Sequence, residues 1–327
     1  MNSNSKVQYI CFLPDQDFWN PIRKKFLEKD NVIVCKKIKG PISNFFHKIH
    51  YSMRINTKIR LPFKKIWYKK YLNYNRIKTN SKKIFLFIEG TNIAYDYKFL
   101  EFLKNQYINV KFVYYFVNTI PTQEKKSVPN LKNIKKNYDL VVTFDYDDAK
   151  EYGLKYNNGM YAEIENKEEI KIKKDVLFVG KNKGRVDQLH SIYERLVQNG
   201  IKCDFNITDV PKDKQIFLGD INYNRYISYE DVVKKIKQSR CILELIFNNR
   251  FNFTLRTREA IIYNKKLITN NKRIKEKSFY KEKYINVFKS SSDIDVEFVL
   301  RDQNVNYANY QEEFSPMNFL EFLSRNL

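Results

Sequence analysis

An α/β fold of two consecutive Rossmann-like halves, each doubly wound and the two facing a central cleft, is what this sequence predicts. Three observations carry that expectation. Short apolar runs rich in β-branched and aromatic residues alternate with segments of helical spacing along nearly the whole chain, the rhythm of βαβ units on a parallel sheet. A charged stretch, EIENKEEIKIKK at 163–174, divides the alternation in two. The 327 residues, 43% of them apolar, have room for two separate cores.

In the first half, VQYICFL (7–13), NVIVCKKI (31–38), KIFLFIEG (83–90), NVKFVYYFVN (109–118) and LVVTFD (140–145) read as strands. Helices are expected between them near 18–29, 95–106, 130–137 and 146–152, and the block 43–82 interrupts the sheet as an insertion of helix and loop. In the second half DVLFVG (175–180) is a strand closed by Gly180. RVDQLHSIYERLVQNG then places Val186, Leu189, Ile192, Tyr193, Leu196 and Val197 at helical spacing, with Gly200 positioned to stop the helix. KCDFNIT (202–208) and CILELIF (241–247) read as strands, and SYEDVVKKIKQSR (228–240) as a helix opened by a Ser-x-x-Asp cap. FNFTLRTREAIIYNKKLITNN (251–271) supplies a further helix and strand, and INVF (285–288) one more strand. The expected domains are 1–168 and 169–327. No repeat of solenoid period is present.

The net charge of +23 is unevenly spread. Between Asn31 and Ile88 there are fifteen Lys and Arg and no Asp or Glu, which implies an acidic partner: nucleic acid, an anionic membrane surface or a phosphorylated acceptor. Trp67, Tyr68, Tyr71 and Tyr74 are interleaved with these cations, a mixture suited to a lipid headgroup interface or to single-stranded nucleic acid. A nucleic-acid-binding protein is therefore the alternative reading. No RRM, KH, OB or helix-turn-helix signature accompanies the block, so no nucleic acid is expected. His47 and His50, three apart in the insertion, read as surface residues. The four cysteines lie singly in or beside apolar runs and, with three histidines in the chain, show no zinc spacing. They read as free thiols of a reducing compartment. No apolar h-region and no run of 18 apolar residues is present, so a cytoplasmic chain is expected.

Ligands of doubly wound sheets bind outside the carboxyl ends of the strands. The loop FVGKNKGR sets Gly180 and Gly184 four apart among Lys181, Lys183 and Arg185. Glycines admit close approach of backbone amides to an oxyanion, and the helix that follows adds its positive end. The loop is neither Gly-x-Gly-x-x-Gly nor a Walker loop. Farther on, Thr254, Arg256 and Arg258 stand at the mouth of a helix, where a guanidinium fork can clamp a diphosphate. Glu259, about one turn inside, is placed to accept hydrogen bonds from two ribose hydroxyls. The bland counterpart is a solvated Arg–Glu pair worth little. For a general base the first half offers Glu89, ending a strand before Gly90, and then Asp15, after the first strand with Asp17 beside it.

DVLFVGKNKGR, TLRTREAIIYNKKLITNN and VVTFDYDDAKEYGLKYNNGMY resemble GT-B glycosyltransferases of bacterial lipopolysaccharide and capsular-polysaccharide clusters. More narrowly they resemble the small, basic transferases of lipopolysaccharide core biosynthesis. The likeness extends over most of the chain, through FIEG…YFVN (87–118) and the ending YQEEFSPMNFLEFL (310–323). It implies a GT-B fold, with the nucleotide-sugar bound mainly by the second domain and the acceptor by the first. By this resemblance Glu259 matches the glutamate that contacts ribose, and Arg256 with Lys183 or Arg185 fall where diphosphate ligands are expected. The last helix is a candidate to pack back on the first domain.

The chain departs from the family at three places. Phe251 stands where the first glutamate of a Glu-x7-Glu pair is common, the turn before the helix lacks its glycines, and LKYNNGMY lacks a proline. Stereochemistry is therefore not inherited. A rival within transferases is the metal-dependent GT-A class, because Asp145-Tyr-Asp147 after an apolar strand has the Asp-x-Asp pattern that holds Mg²⁺ or Mn²⁺. Its bland counterpart is Asp145 as the cap of a helix with an acidic first turn.

The expectation is thus a metal-independent GT-B glycosyltransferase. It would move a sugar from a nucleotide-sugar to a lipid-linked, lipopolysaccharide-core or capsular saccharide. It would sit on the inner face of the cytoplasmic membrane, docked through 31–88.

Overall fold

Alternation of side chains with period two builds the first sheet. In β1 (Gln8–Phe12) Ile10 and Phe12 enter one core while Tyr9 and Cys11 enter the other, because successive strand residues point to opposite faces. In β3 (Lys83–Ile88) Phe85 and Phe87 join the first core and Ile84, Leu86 and Ile88 the second. A strand buried on both faces reads as a continuous apolar run, as parallel sheets require.

The computed structural model describes residues 7–36, 38, 40–52, 55, 59, 61–72, 76–120, 131–165, 171–246 and 254–327. Tyr74, Phe251 and the expected boundary at 168/169 lie outside them. The chain forms two compact units, Met1–Ala162 with Ser315–Leu327, and Glu163–Phe314.

In the first unit β1 leads through α1 (Trp19–Leu27) to β2 (Val32–Val34), then through α2 (Pro41–His50) and α3 (Lys65–Tyr71) to β3. Next come α4 (Tyr97–Gln106), β4 (Val110–Phe116), α5 (Leu131–Asn137), β5 (Leu140–Thr143), α6 (Tyr146–Tyr152) and β6 (Lys155–Tyr156). The sheet order is β2-β1-β3-β4-β5-β6 and every pairing is parallel. The chain leaves β1 to one side for β2 and returns on the other for β3, so the topological switch point lies between β1 and β3.

The second unit repeats the design. It runs β7 (Lys174–Lys181), α7 (Val186–Gln198), β8 (Cys203–Thr208), β9 (Asn222–Tyr223), α8 (Tyr229–Lys237) and β10 (Ser239–Glu244). Then follow α9 (Leu255–Ile262), β11 (Lys266–Thr269), β12 (Ile285–Val287), α10 (Val296–Leu300) and α11 (Ala308–Gln311). All pairs are parallel in the order β12-β11-β10-β7-β8-β9, with the switch point between β7 and β10. Ser228 caps α8 by accepting from the Asp231 amide at 3.1 Å, as its spacing predicts. The terminal helix α12 (Pro316–Arg325) places Phe319, Leu320 and Leu323 in the same core as Trp19, Ile22 and Phe26. Phe319 meets Tyr115 there with ring centroids 4.8 Å apart.

The basic insertion departs from expectation in its aromatics. Trp67, Tyr68 and Tyr71 are not interfacial: all three are buried against the first sheet. At i, i+1 and i+4 they share one face of α3, and the Tyr68 ring packs at a tilt on Phe99, 4.8 Å between centroids, while its hydroxyl donates to Asp96 at 2.9 Å. His47 and His50, read as surface residues, are partly buried and turned toward the protein. His47 Nε2 shares a hydrogen bond with the Tyr71 hydroxyl, and His50 Nδ1 accepts from Trp67 Nε1 at 2.6 Å. Burial of so much aromatic surface outweighs the amphipathic character that the sequence suggests.

Candidate functional site

The two strands flanking the switch point of the second sheet end in the residues that matter. β7 delivers Gly180 and the loop to Arg185, and β10 delivers Glu244. Because β7 and β10 pair in parallel, their carboxyl ends lie side by side. The outer pair β10 and β11 then brings Thr269 level with Glu244.

Asn182, only 8% exposed, organises the loop. Its amide donates to the Thr208 carbonyl at 2.8 Å, and its Oδ1 accepts from the Arg185 amide at 3.0 Å. Lys183 and Gly184 turn the chain with φ of 47° and 77°, the left-handed region that glycine tolerates. Gly180 is tightly placed for a different reason. A Cβ there would lie 3.2 Å from Phe178 Cζ and 3.7 Å from Arg185 Nη2, so Arg185 folds back over the strand end. Its Nη2 donates to the Lys181 carbonyl at 3.1 Å, and its guanidinium lies 5.9 Å from the Phe178 ring centre. Burial lowers the Arg185 pKa while the Glu244 carboxylate opposes the shift. Lys183 is exposed, and Lys181 pairs with Asp209 at 2.9 Å in solvent, a pair worth little.

Glu244 is the residue that sequence reasoning missed. It is 1% exposed and accepts three threonine hydroxyls. Thr254 and Thr257 donate to Oε1, the latter at 2.6 Å, and Thr269 donates to Oε2 at 2.6 Å. One carboxylate thereby ties β10 to both α9 and β11. The signal was present in CILELIF, where a glutamate interrupts an apolar strand at its carboxyl end. Thr254, tethered in this way, caps α9 by accepting from the Arg256 amide at 3.0 Å.

Arg256 and Glu259 lie together, one turn apart on α9, at 2.5 Å between Nη1 and Oε2. Glu259 is 0% exposed, and its Oε1 also accepts from the Tyr229 hydroxyl at 3.0 Å. Burial pushes its carboxyl up to about 7, against the opposing pull of Arg256, Tyr229 and Arg258. This is not the solvated surface pair of the bland reading. Arg258 is buried beside it. The expected nucleotide residues Gly180, Arg185, Thr254, Arg256 and Glu259 are therefore gathered at one sheet edge, with Lys183 at its exposed margin.

In the first unit, Asp15 and Glu89 follow the two strands at that sheet's switch point, β1 and β3. Pro14 carbons lie 3.7 and 3.8 Å from where a Cβ on Gly90 would be, so the two loops touch. Glu89 is buried, and its Oε2 accepts from the Val117 and Asn118 amides at 2.7 and 2.8 Å. That geometry makes it a brace across the ends of β3 and β4. Asp15 is exposed; burial lowers the pKa of both Arg23 and His47, the imidazole to about 4, and the Asp15 charge opposes both shifts.

Asp145 caps α6, its Oδ1 accepting from the Asp148 amide at 3.0 Å. Asp148 in turn accepts from the Ile120 amide at 2.8 Å. The bland reading of that acidic run is the one the structure displays. Among the described residues no cluster of three metal-ligating side chains is found. No described helix is long and apolar enough to cross a membrane.

No protein-family model matches the chain, and no curated protein sequence does. Solved structures do. A sucrose-phosphate synthase from Thermosynechococcus elongatus superposes with a TM-score of 0.54 at 9% identity, over 97% of this chain and 98% of that one. The glycotransferase of kitacinnamycin does so at 0.50 and 8% identity, over 98% and 99%. Against a chain of the accessory secretory protein 1, 2 and 3 structure from Streptococcus pneumoniae, the TM-score is 0.46 at 11% identity. That match takes in 80% of this chain and spans 56% of the other. The chain has the GT-B fold: two parallel six-stranded sheets with alternating helices, as the sequence predicts.

Proposed function

We propose that this protein is a glycosyltransferase that moves a sugar from a nucleotide-sugar to a saccharide acceptor. One observation carries the reading. At the switch point of the second sheet, two half-buried guanidinium groups, Arg185 and Arg256, stand beside buried carboxylates and the starts of two helices. A guanidinium has five donors, so an arginine held by a carboxylate keeps others for a diphosphate. The amides at the start of the thirteen-residue α7, which has no side-chain cap, favour the same anion.

In the transfer, the acceptor hydroxyl oxygen forms the new bond to the sugar's anomeric carbon. The bond from that carbon to the diphosphate oxygen breaks, and the nucleoside diphosphate leaves with the electron pair. Arg185, Arg256 and the Gly180–Arg185 loop offset the charge that develops on it, with no metal required of the protein. In an inverting transfer a carboxylate of the first unit takes the hydroxyl proton. The candidates are Glu89, whose Oε2 accepts from two amides, and the exposed Asp15. Ribose hydroxyls reach Glu259 by displacing Arg256 or Tyr229 from it. The acceptor in this reading is a lipid-linked, lipopolysaccharide-core or capsular saccharide, met on the inner face of the cytoplasmic membrane.

Calorimetry against UDP, GDP, ADP, CMP and dTDP tests the donor site. One of them should bind, and Arg256→Ala should weaken it by about 1.5–3 kcal/mol, the range for a charge-assisted hydrogen bond. Glu259→Ala should weaken that ligand but not its 2′,3′-dideoxy analogue. If no nucleotide binds the folded protein, the transferase reading fails.

A further inference from the structure

The helix α2 is oriented against the ordinary rule for a helix on a water-soluble surface. Its apolar residues Ile42, Phe45, Phe46 and Ile49 recur at i, i+3, i+4 and i+7, the spacing of a stripe that normally faces a core. Here none of its ten residues is buried. Ile42, Phe45 and Phe46 are each more than half exposed, while the two histidines are the side chains turned to the protein, toward Tyr71 and Trp67. The neighbouring α3 continues the pattern. It buries Trp67, Tyr68 and Tyr71 and leaves Ile66, with Phe63 just before it, at 54% and 76% exposure. The exposed cations Lys48, Lys65, Lys69 and Lys70 share these two helices.

We infer that the outward face of α2 and α3 docks on an anionic lipid bilayer, with Ile42, Phe45, Phe46, Phe63 and Ile66 entering the interface and the four lysines meeting headgroup phosphates. Charge complementarity selects this occupant. The exposed Lys48, Lys65, Lys69 and Lys70, in a stretch of sequence with no acid between Asn31 and Ile88, match an anionic plane. A second copy of this chain would bring the same cations against one another. Nucleic acid would use the lysines but gain little from exposed isoleucine and phenylalanine. The rings of Trp67, Tyr68 and Tyr71, suited to stacking on bases, are in the core. Apolar insertion framed by lysine is instead how interfacial helices hold a membrane. The surface extends the peripheral location proposed above, yet it does not rest on sugar transfer and can fail without touching nucleotide binding.

The experiment is co-sedimentation of the full chain with phosphatidylcholine vesicles, with and without phosphatidylglycerol, alongside the thermal midpoint as a control for folding. Wild type should bind the anionic vesicles and largely ignore neutral ones. Phe45→Ser combined with Phe46→Ser and Phe63→Ser should weaken binding by about tenfold or more, with the thermal midpoint retained. Charge reversal at Lys65, Lys69 and Lys70 should remove the preference for anionic lipid. The indole introduced by Phe45→Trp should shift its emission to the blue on vesicles and be quenched by brominated acyl chains. A serine triple variant that binds as tightly as wild type overturns the inference, as does a Phe45→Trp variant whose added emission keeps its aqueous wavelength on vesicles. So does preferential binding of single-stranded RNA over anionic vesicles at equal salt.

Discussion

Replacing Glu259 with glutamine should flatten the pH dependence of stability of the second unit. The folded carboxyl titrates near 7, above its ordinary 4.5, because it is fully buried and burial outweighs the pull of Arg256. Through that window the folded protein holds a proton that the unfolded chain has released. The contribution of this site is therefore fully present below about pH 4.5 and is lost as the pH rises through 7. At about 1.4 kcal/mol per unit of displacement, the full loss is about 3 kcal/mol, of which about 2–3 kcal/mol falls between about pH 5 and 8. Glutamine keeps the shape and the acceptor for Tyr229 but turns an amide toward Arg256. Its own contribution should therefore not vary with pH, so the wild type loses stability relative to the variant as the pH rises. Urea unfolding at intervals from about pH 5 to 8 reads the slope, and hydrogen exchange in Leu255–Ile262 locates it in α9. A difference between variant and wild type that stays constant across that range would falsify the burial argument. Wild-type stability that rises relative to the variant with pH would mean that the Arg256 pair dominates, reversing the sign.

Glu244→Ala should cost about 3 kcal/mol, since three hydroxyls donate to that carboxylate and their losses do not add fully. The melting midpoint of the second unit should fall by roughly 6–12 °C. Glu244→Gln, which keeps Oε1 for Thr254 and Thr257, should retain more than half of the stability that alanine loses, and equal losses in calorimetry would contradict the threonine geometry. If the proposed transfer needs no metal, turnover should persist in EDTA, and Asp145→Ala should cost about 1 kcal/mol as a lost helix cap without altering the chemical step. Activity abolished by EDTA and restored by Mn²⁺ would sink metal independence.

The alternation of apolar runs with helical spacings was enough to foresee two parallel sheets. A strand buried on both faces must be apolar throughout, and a parallel pair must be joined by a crossover of helix length. KIFLFI, VKFVYYF and CILE carry that message in composition alone, as do the cap at Ser228 and the helix after Thr254. The two-residue strands β6 and β9 escaped notice because so short a segment has no period to read. Sequence also singled out Arg185, Arg256 and Glu259 as neighbours of strand ends, for charge at such places is visible without coordinates.

What the sequence could not supply is the direction in which a side chain finds its partner. Trp67, Tyr68 and Tyr71 look interfacial in a string of lysines, and only packing on Phe99 and the first sheet shows them to be core. The same packing turns Phe45 and Phe46 outward, because α2 is held to the unit by its histidines. Glu244 reads as an intruder in an apolar strand until three threonines, distant by 10, 13 and 25 positions, converge on it. Local pattern follows from the backbone period of a few residues. Whether a carboxylate is braced, paired or open to a ligand depends on groups that only the folded chain brings within hydrogen-bonding distance.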